Sequence, residues 1–184
     1  SGTSISFGSE VVFEAAATSF PAITFDSNAN KVVISYQDVG NSSYATAVSG
    51  TVSGSSITFD TAHILYAGYA TRFGTTFDSN SNKVVIAYTD RSNSYYGTAV
   101  VGTVNPSDNS ISFGTPQVFL SDIAIRNSVA YDSDAGKFLL ACANQSNGYN
   151  GTSYVATIDN TYNNAAVGGQ VVFNSNHTRF INAV

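Results

Sequence analysis

Three stretches of this 184-residue chain place oxygen-bearing side chains at alternate positions: Asp26-x-Asn28-x-Asn30, Asp78-x-Asn80-x-Asn82 and Asp132-x-Asp134-x-Gly136. That spacing opens a calcium loop, but such a loop closes on a bidentate glutamate at its twelfth position. Here the twelfth residues are Gln37, Thr89 and Ala143. A turn in which the aspartate bonds its own backbone accounts for the same residues. His63 and His177 stand too far apart in the repeat frame for a metal pair, so neither a metal nor a cofactor is expected. The only glutamates are Glu10 and Glu14, which leaves Asp38 and Asp90 as the carboxylates for any glycoside cleavage. Those two occupy the same position in successive repeats, as fold-serving residues do. No Gly-x-Ser-x-Gly elbow and no phosphate-cradling glycine loop occurs. Cys142 has no second cysteine to pair with and takes the repeat position of Tyr36 and Tyr88, the pattern of a buried, inert thiol. A non-enzymatic protein is expected.

Binding chemistry is better represented. Three variable segments are rich in Tyr, Asn, Ser and Asp: one holds Asp38, Asn41 and Tyr44, the next Asp90, Arg91, Asn93, Tyr95 and Tyr96, the third Asn144, Asn147 and Tyr149. An aromatic face for a sugar ring, with neutral donors and acceptors for its hydroxyls, is what carbohydrate recognition requires. The same composition also describes ordinary hydrophilic turns.

The elements that must position these segments follow from repetition. Phe77-Asp78-Ser79-Asn80-Ser81-Asn82-Lys83-Val84-Val85-Ile86-Ala87-Tyr88 has a counterpart beginning at Phe25 and a more degenerate one beginning at Tyr131. Asp78 follows Asp26 by 52 positions and Asp132 follows Asp78 by 54, the extra two lying in Asn105-Pro106-Ser107-Asp108-Asn109. Asp26, Asp78 and Asp132 match in all three copies, as do Lys31, Lys83 and Lys137, and Thr46, Thr98 and Thr152. A cross-hairpin ion pair is the expected use of the Asp and Lys sets. Apolar residues alternate or run continuously over short spans, which predicts strands and gives helices no support.

Each unit reads as four strands joined by three hairpins, with a kink in the fourth strand. One longer link joins the units, at residues 14–19, 66–71 and 120–125. The inner strands are Phe20–Phe25, Arg72–Phe77 and Arg126–Tyr131, and the links share one end of the array with the Asp38, Asp90 and Asn144 hairpins. Four antiparallel strands per repeat of about fifty residues point to an all-β, β-propeller-like array of four-stranded blades. A β-solenoid has shorter coils without hairpins. The boundaries are 1–18 for the outer strand of a preceding blade, 19–70, 71–124 and 125–178 for three blades, and 179–184 for the first strand of a further one. Small rings need at least four blades, so an incomplete ring is expected, finished by other copies or by the rest of a longer parent chain.

The phrases Phe-Asp-Ser-Asn-Ser-Asn-Lys-Val-Val-Ile-Ala-Tyr at 77–88 and Ser-Tyr-Tyr-Gly-Thr-Ala-Val-Val-Gly-Thr-Val at 94–104 resemble a degenerate β-propeller-type repeat of phage and virus tail-fibre-like and marine microbial surface structural proteins. The resemblance spans nearly the whole chain. It implies an extracellular, cell-surface or virion location and a structural role, and carries no catalytic residues with it.

Charge is sparse, with a formal balance of −5. The basic residues form no stripe in the sequence, so nucleic acid is not an expected partner. No apolar run is long enough to cross a bilayer. Asn41, Asn144, Asn150 and Asn176 open N-glycan acceptor triplets. The expected function is a surface or virion structural and adhesion module, with carbohydrate as the candidate ligand. A scaffold or fibre subunit without ligand is the alternative. A sialidase-like extracellular glycan hydrolase is the second alternative: Arg72 and Arg126 match in register and Arg179 lies near it, but the chain has no tryptophan for that family's Asp box.

Overall fold

Asp26, Asp78 and Asp132 each end a strand and start a tight turn. In all three, Oδ1 accepts the backbone N–H groups two and three residues on: Asn28 and Ala29 at 2.9 Å each, Asn80 and Ser81 at 2.9 and 3.1 Å, Asp134 and Ala135 at 3.0 Å each. The turns close through Asn30, Asn82 and Gly136 in the left-handed region, where Asn and Gly are tolerated best. This accounts for the Asp-x-Asn spacing without a cation.

The structure, a computed structural model, describes residues 4, 7–159, 164–179 and 181–182. They form strands and turns without a helix: β1 (Thr18–Asp26), β2 (Lys31–Asp38), β3 (Tyr44–Ser53), β4 (Ser56–Phe59), β5 (His63–Asp78), β6 (Lys83–Asp90), β7 (Tyr96–Val104), β8 (Ile111–Phe113), β9 (Gln117–Asp132), β10 (Lys137–Asn144), β11 (Asn150–Asp159) and β12 (Asn164–His177). All pairing is antiparallel, in one open order β1-β2-β3-β5-β6-β7-β9-β10-β11-β12, with β4 beside β3 and β8 beside β7. The sheet does not close on itself.

The links at 66–71 and 120–125 are not loops. They lie inside the sixteen-residue strands β5 and β9. The first part of β5, from His63 to Tyr69, pairs with β3, and the rest, from Ala70, pairs with β6. Exchanging partners in mid-strand keeps the backbone polar groups bonded while the chain passes from one unit to the next. The expected kink in the fourth strand is the break between β4 and β5 at residues 60–62, repeated between β8 and β9. The strand expected before residue 14 is absent from 7–14, and Ile5 and Ser6 lie outside the described residues. Phe13 packs instead edge-on to Tyr36 and Phe59, at 5.2 and 5.9 Å between centroids. Of the proposed final strand, Phe180, Ala183 and Val184 lie outside the described residues.

Two apolar clusters lie between units, and a third, Ile34, Tyr36 and Val48 with Phe13 and Phe59, lies on the first unit. One cluster joins Val33, Ala45, Ala47 and Leu65 of the first unit to Val84, Ile86, Tyr88 and Val100 of the second. A second joins Val85, Ala87, Ala99 and Phe119 to Phe138, Leu140, Cys142 and Tyr154. Equivalent positions are matched in size. Leu65 shares the first cluster with Ala45, whereas at the equivalent positions Phe119 and Phe173 sit over Gly97 and Gly151, where a Cβ would come within 2.7 and 2.5 Å of the ring. Likewise Tyr36 and Tyr88 share their clusters with Val48 and Val100, while Cys142 shares its cluster with Tyr154. Where β5 and β9 approach, a Cβ on Gly74 would stand 2.9 Å from Ser128 Cα.

The expected Asp–Lys ion pairs do not form the contact. Asp26 and Lys31, and Asp78 and Lys83, are cross-strand partners. Yet Lys31 Nζ donates to Thr51 Oγ1, and Lys83 Nζ to Thr103 Oγ1 at 2.6 Å. With the carboxylates committed to their turns, the ammonium groups find hydroxyls across the sheet.

Candidate functional site

Two kinds of segment meet at one end of the sheet: the β2–β3, β6–β7 and β10–β11 hairpins and the mid-strand crossings of β5 and β9. Repeated backbone bonds staple them together. Val39, Arg91 and Gln145 donate N–H to the carbonyls of Ala17, Tyr69 and Ile123 at 2.9, 2.8 and 2.9 Å. Ala70, Ala124 and Thr178 donate to Ser43, Tyr95 and Tyr149 at 3.4, 3.1 and 2.8 Å. The β6–β7 hairpin is thus held between the crossings of β5 and β9, the β2–β3 hairpin between Ala17 and the β5 crossing, and the β10–β11 hairpin between the β9 crossing and Thr178. The tips turn on successive left-handed residues, Ser42-Ser43, Ser94-Tyr95 and Gly148-Tyr149. Outside glycine that conformation costs about 1 kcal/mol per residue, and the staples hold it.

Not all eleven sequence-selected residues face outward. Asp38, Asp90 and Asn144 are buried, and each organises its own tip. Asp38 Oδ1 accepts Asn41 N–H at 3.0 Å, Asp90 Oδ1 accepts those of Ser92 and Asn93 at 3.0 and 3.1 Å, and Asn144 Oδ1 accepts that of Asn147 at 3.2 Å. Burial pushes the Asp90 carboxyl up, beyond what bonds from the Tyr66 hydroxyl and the Asn93 and Ser92 amides offset. Asn41, Asn93 and Asn147 are exposed, and Tyr44, Tyr96, Asn150 and Tyr149 half-buried.

The second hairpin carries the densest cluster. The Arg91 guanidinium lies over the Tyr69 and Tyr95 rings, at 4.3 and 5.1 Å from their centroids. Its Nη1 donates to Tyr69 Oη at 2.6 Å and its Nη2 to Tyr95 Oη at 3.2 Å. Tyr69 donates its own N–H to Ser92 Oγ at 2.8 Å. Each tyrosine keeps 38% of its surface exposed. Tyr44 is the β3 partner of Tyr69 and joins the group from the first hairpin. At the third hairpin, Tyr149 packs on His177 at 4.5 Å between centroids, with Arg126 6.0 Å from the Tyr149 ring centre.

Sequence reasoning missed Tyr69, although it lies in a link expected to share this end. It also placed the basic residues as scattered. In the fold, Arg72, Arg91, Arg126 and Arg179 all fall at the crossing end, and Lys31, Lys83 and Lys137 begin strands at the opposite end. Among the described residues no three His, Cys, Asp or Glu side chains come together.

No protein-family model matches the chain, and neither does any curated protein. Among solved structures, the crystal structure of Saccharomyces cerevisiae Sqt1 is similar to it at a TM-score of 0.61 and 13% identity, over 94% of this chain. The chain spans 40% of the length of that one. The class so defined is an all-β, antiparallel repeat protein, and the likeness extends to fold alone.

Proposed function

We propose that the three units are propeller blades and that the chain is a non-enzymatic structural and adhesion module, binding carbohydrate at the crossing end. The observation that carries the binding reading is the exposed Tyr69–Arg91–Tyr95 group, held in place by backbone staples. Rings fixed in advance lose little entropy when a sugar stacks against them, and the flanking Asn93, Ser92 and Tyr44 supply donors and acceptors for hydroxyls. The setting suits an extracellular, cell-surface or virion protein meeting a surface glycan.

The structural half of the reading rests on the lateral faces. Phe173 stands where Phe119 stands one unit earlier, yet it is 53% exposed, with Val171 and Val172 beside it. Ile23 and Phe25 are exposed on the first unit. A further repeat of the same design, from the rest of a parent chain or from another copy, would cover these faces. The groove of about 670 Å³ beside Tyr131, Phe138, Leu139 and Val155 belongs to this lateral surface.

A glycan array tests the binding reading. Wild type is expected to retain a defined set of saccharides, and Tyr95→Ala to lose them while unfolding at the same denaturant concentration. An array with no retained saccharide leaves the ligand-free scaffold as the function.

A further inference from the structure

Phe20, Arg72 and Arg126 occupy one position in the three units, and each has a left-handed backbone, with φ of 55°, 57° and 57°. Each sits in a bulge, where pairing skips between Ser19 and Ala22, between Thr71 and Gly74, and between Ile125 and Ser128. A bulge re-aims the side chain it carries. Here the re-aimed side chains line one groove of about 350 Å³, together with Pro21, Phe73, Asn127 and Ile181.

Two guanidiniums therefore share a small cleft whose described lining holds no carboxylate. Arg72 is depressed in basicity by burial first and then by the positive charges of Arg91 and Arg126; only Tyr69 and Tyr95 act the other way. Its ring contact is Phe20, 6.0 Å from the guanidinium carbon. Arg126 bonds a backbone carbonyl, that of Thr178, at 3.4 Å. Asn127 is 7% exposed, and its amide orientation is set by donation from Nδ2 to Arg72 O at 3.1 Å and Thr89 Oγ1 at 3.0 Å. Its Oδ1 is buried and accepts nothing among the described residues. The groove thus offers two forked cationic donors, one of them fixed against Phe20.

We propose that this groove selects acidic saccharides, a carboxylate or sulfate group seating between Arg72 and Arg126. This rests on the carbohydrate reading above and gives it a ligand class. Guanidinium groups pair with such oxyanions through two parallel bonds. Binding an anion also relieves the repulsion among the arginines, an advantage that a neutral sugar lacks.

Calorimetric titration at constant ionic strength tests it, with glucuronate, galactose 6-sulfate and neutral galactose as probes. Wild type is expected to bind one or both acids at least about tenfold more tightly than galactose, a difference of about 1.4 kcal/mol; which acid binds distinguishes carboxylate from sulfate. Arg72→Gln and Arg126→Gln are each expected to remove that preference, with Arg72→Lys keeping part of it. Tyr95→Ala is expected to weaken acid and neutral probes alike. Acids that bind no better than galactose overturn the proposal while leaving the carbohydrate reading intact. A preference that survives in folded Arg126→Gln also overturns it. Loss of every probe in wild type sinks both readings.

Discussion

Adding one methyl group at Gly97 should damage the protein, and shrinking Phe119 at the same time should repair it. A Cβ built at Gly97 stands 2.7 Å from Phe119 Cε2 and Cζ and 2.9 Å from Ala124 Cβ. The ring is 93% removed from solvent and edge-on to Tyr154 at 5.5 Å, so it has no room to retreat. Overpacking of this kind costs about 1–3 kcal/mol, offset by about 0.5–1 kcal/mol from the entropy that glycine loses on folding. Gly97→Ala is therefore expected to lose about 0.5–2 kcal/mol. Phe119→Leu loses the edge-on aromatic contact and part of its buried area, about 1–2 kcal/mol. The double variant reproduces the Ala45–Leu65 combination already used in the first unit. It is expected to be more stable than the sum of the singles by at least about 1 kcal/mol. Urea unfolding of the four proteins, compared at equal m-value, measures this. Additivity within about 0.5 kcal/mol would refute the idea that the units are fitted to one another at this point.

Other expectations follow from single contacts. Gly74→Ala forces a Cβ against the backbone of Ser128 and is expected to lower stability by about 1–3 kcal/mol in the same assay. Burial pushes the Cys142 thiol up to about 12, so a thiol reagent at pH 8 should label it only after denaturant is added; rapid labelling of the native protein would contradict its placement. Asp90 and Asp78 should respond to pH with opposite sign. The raised Asp90 carboxyl contributes instability that sets in as pH rises through the unfolded value near 4 and is complete above the folded one, so Asp90→Asn, the residue at position 144, is expected to stabilise at pH 7 and to lose that gain in acid. Burial alone would raise the Asp78 carboxyl, but the nearby Tyr131 hydroxyl and the Ser81 and Asn80 donors hold it low. Its stabilisation is present above the unfolded value and lost as pH falls through the folded one, so Asp78→Asn should cost stability at pH 7 and little in strong acid.

The hairpins were legible in the sequence because turn chemistry is local: an aspartate followed by small polar residues and Asn or Gly bonds its own backbone wherever it occurs. Strand order within a unit followed from chain reversal at each such turn. The crossings at 66–71 and 120–125 were not legible as strand, since nothing in Tyr66 to Thr71 records that its pairing partner changes from β3 to β6. Asp38 and Asp90 looked like ligand contacts because exposure cannot be read from residue type, and the turns had already claimed their oxygens. The arginine convergence was hidden for a different reason. Arg72 and Arg126 share a repeat position, but their meeting with Arg91 and Asn127 depends on the bulges and on packing between units, which no spacing encodes. The size matching of Gly97 with Phe119 against Ala45 with Leu65 was written in the repeats and needed only the knowledge of which strands face each other.

Amide chemical-shift mapping during a saccharide titration bears most directly on where this protein works. Shifts are expected to cluster at residues 69–72, 91–96 and 124–127, the crossing end. Shifts confined to the Asp26, Asp78 and Asp132 turns at the far end would contradict the assignment of the binding surface.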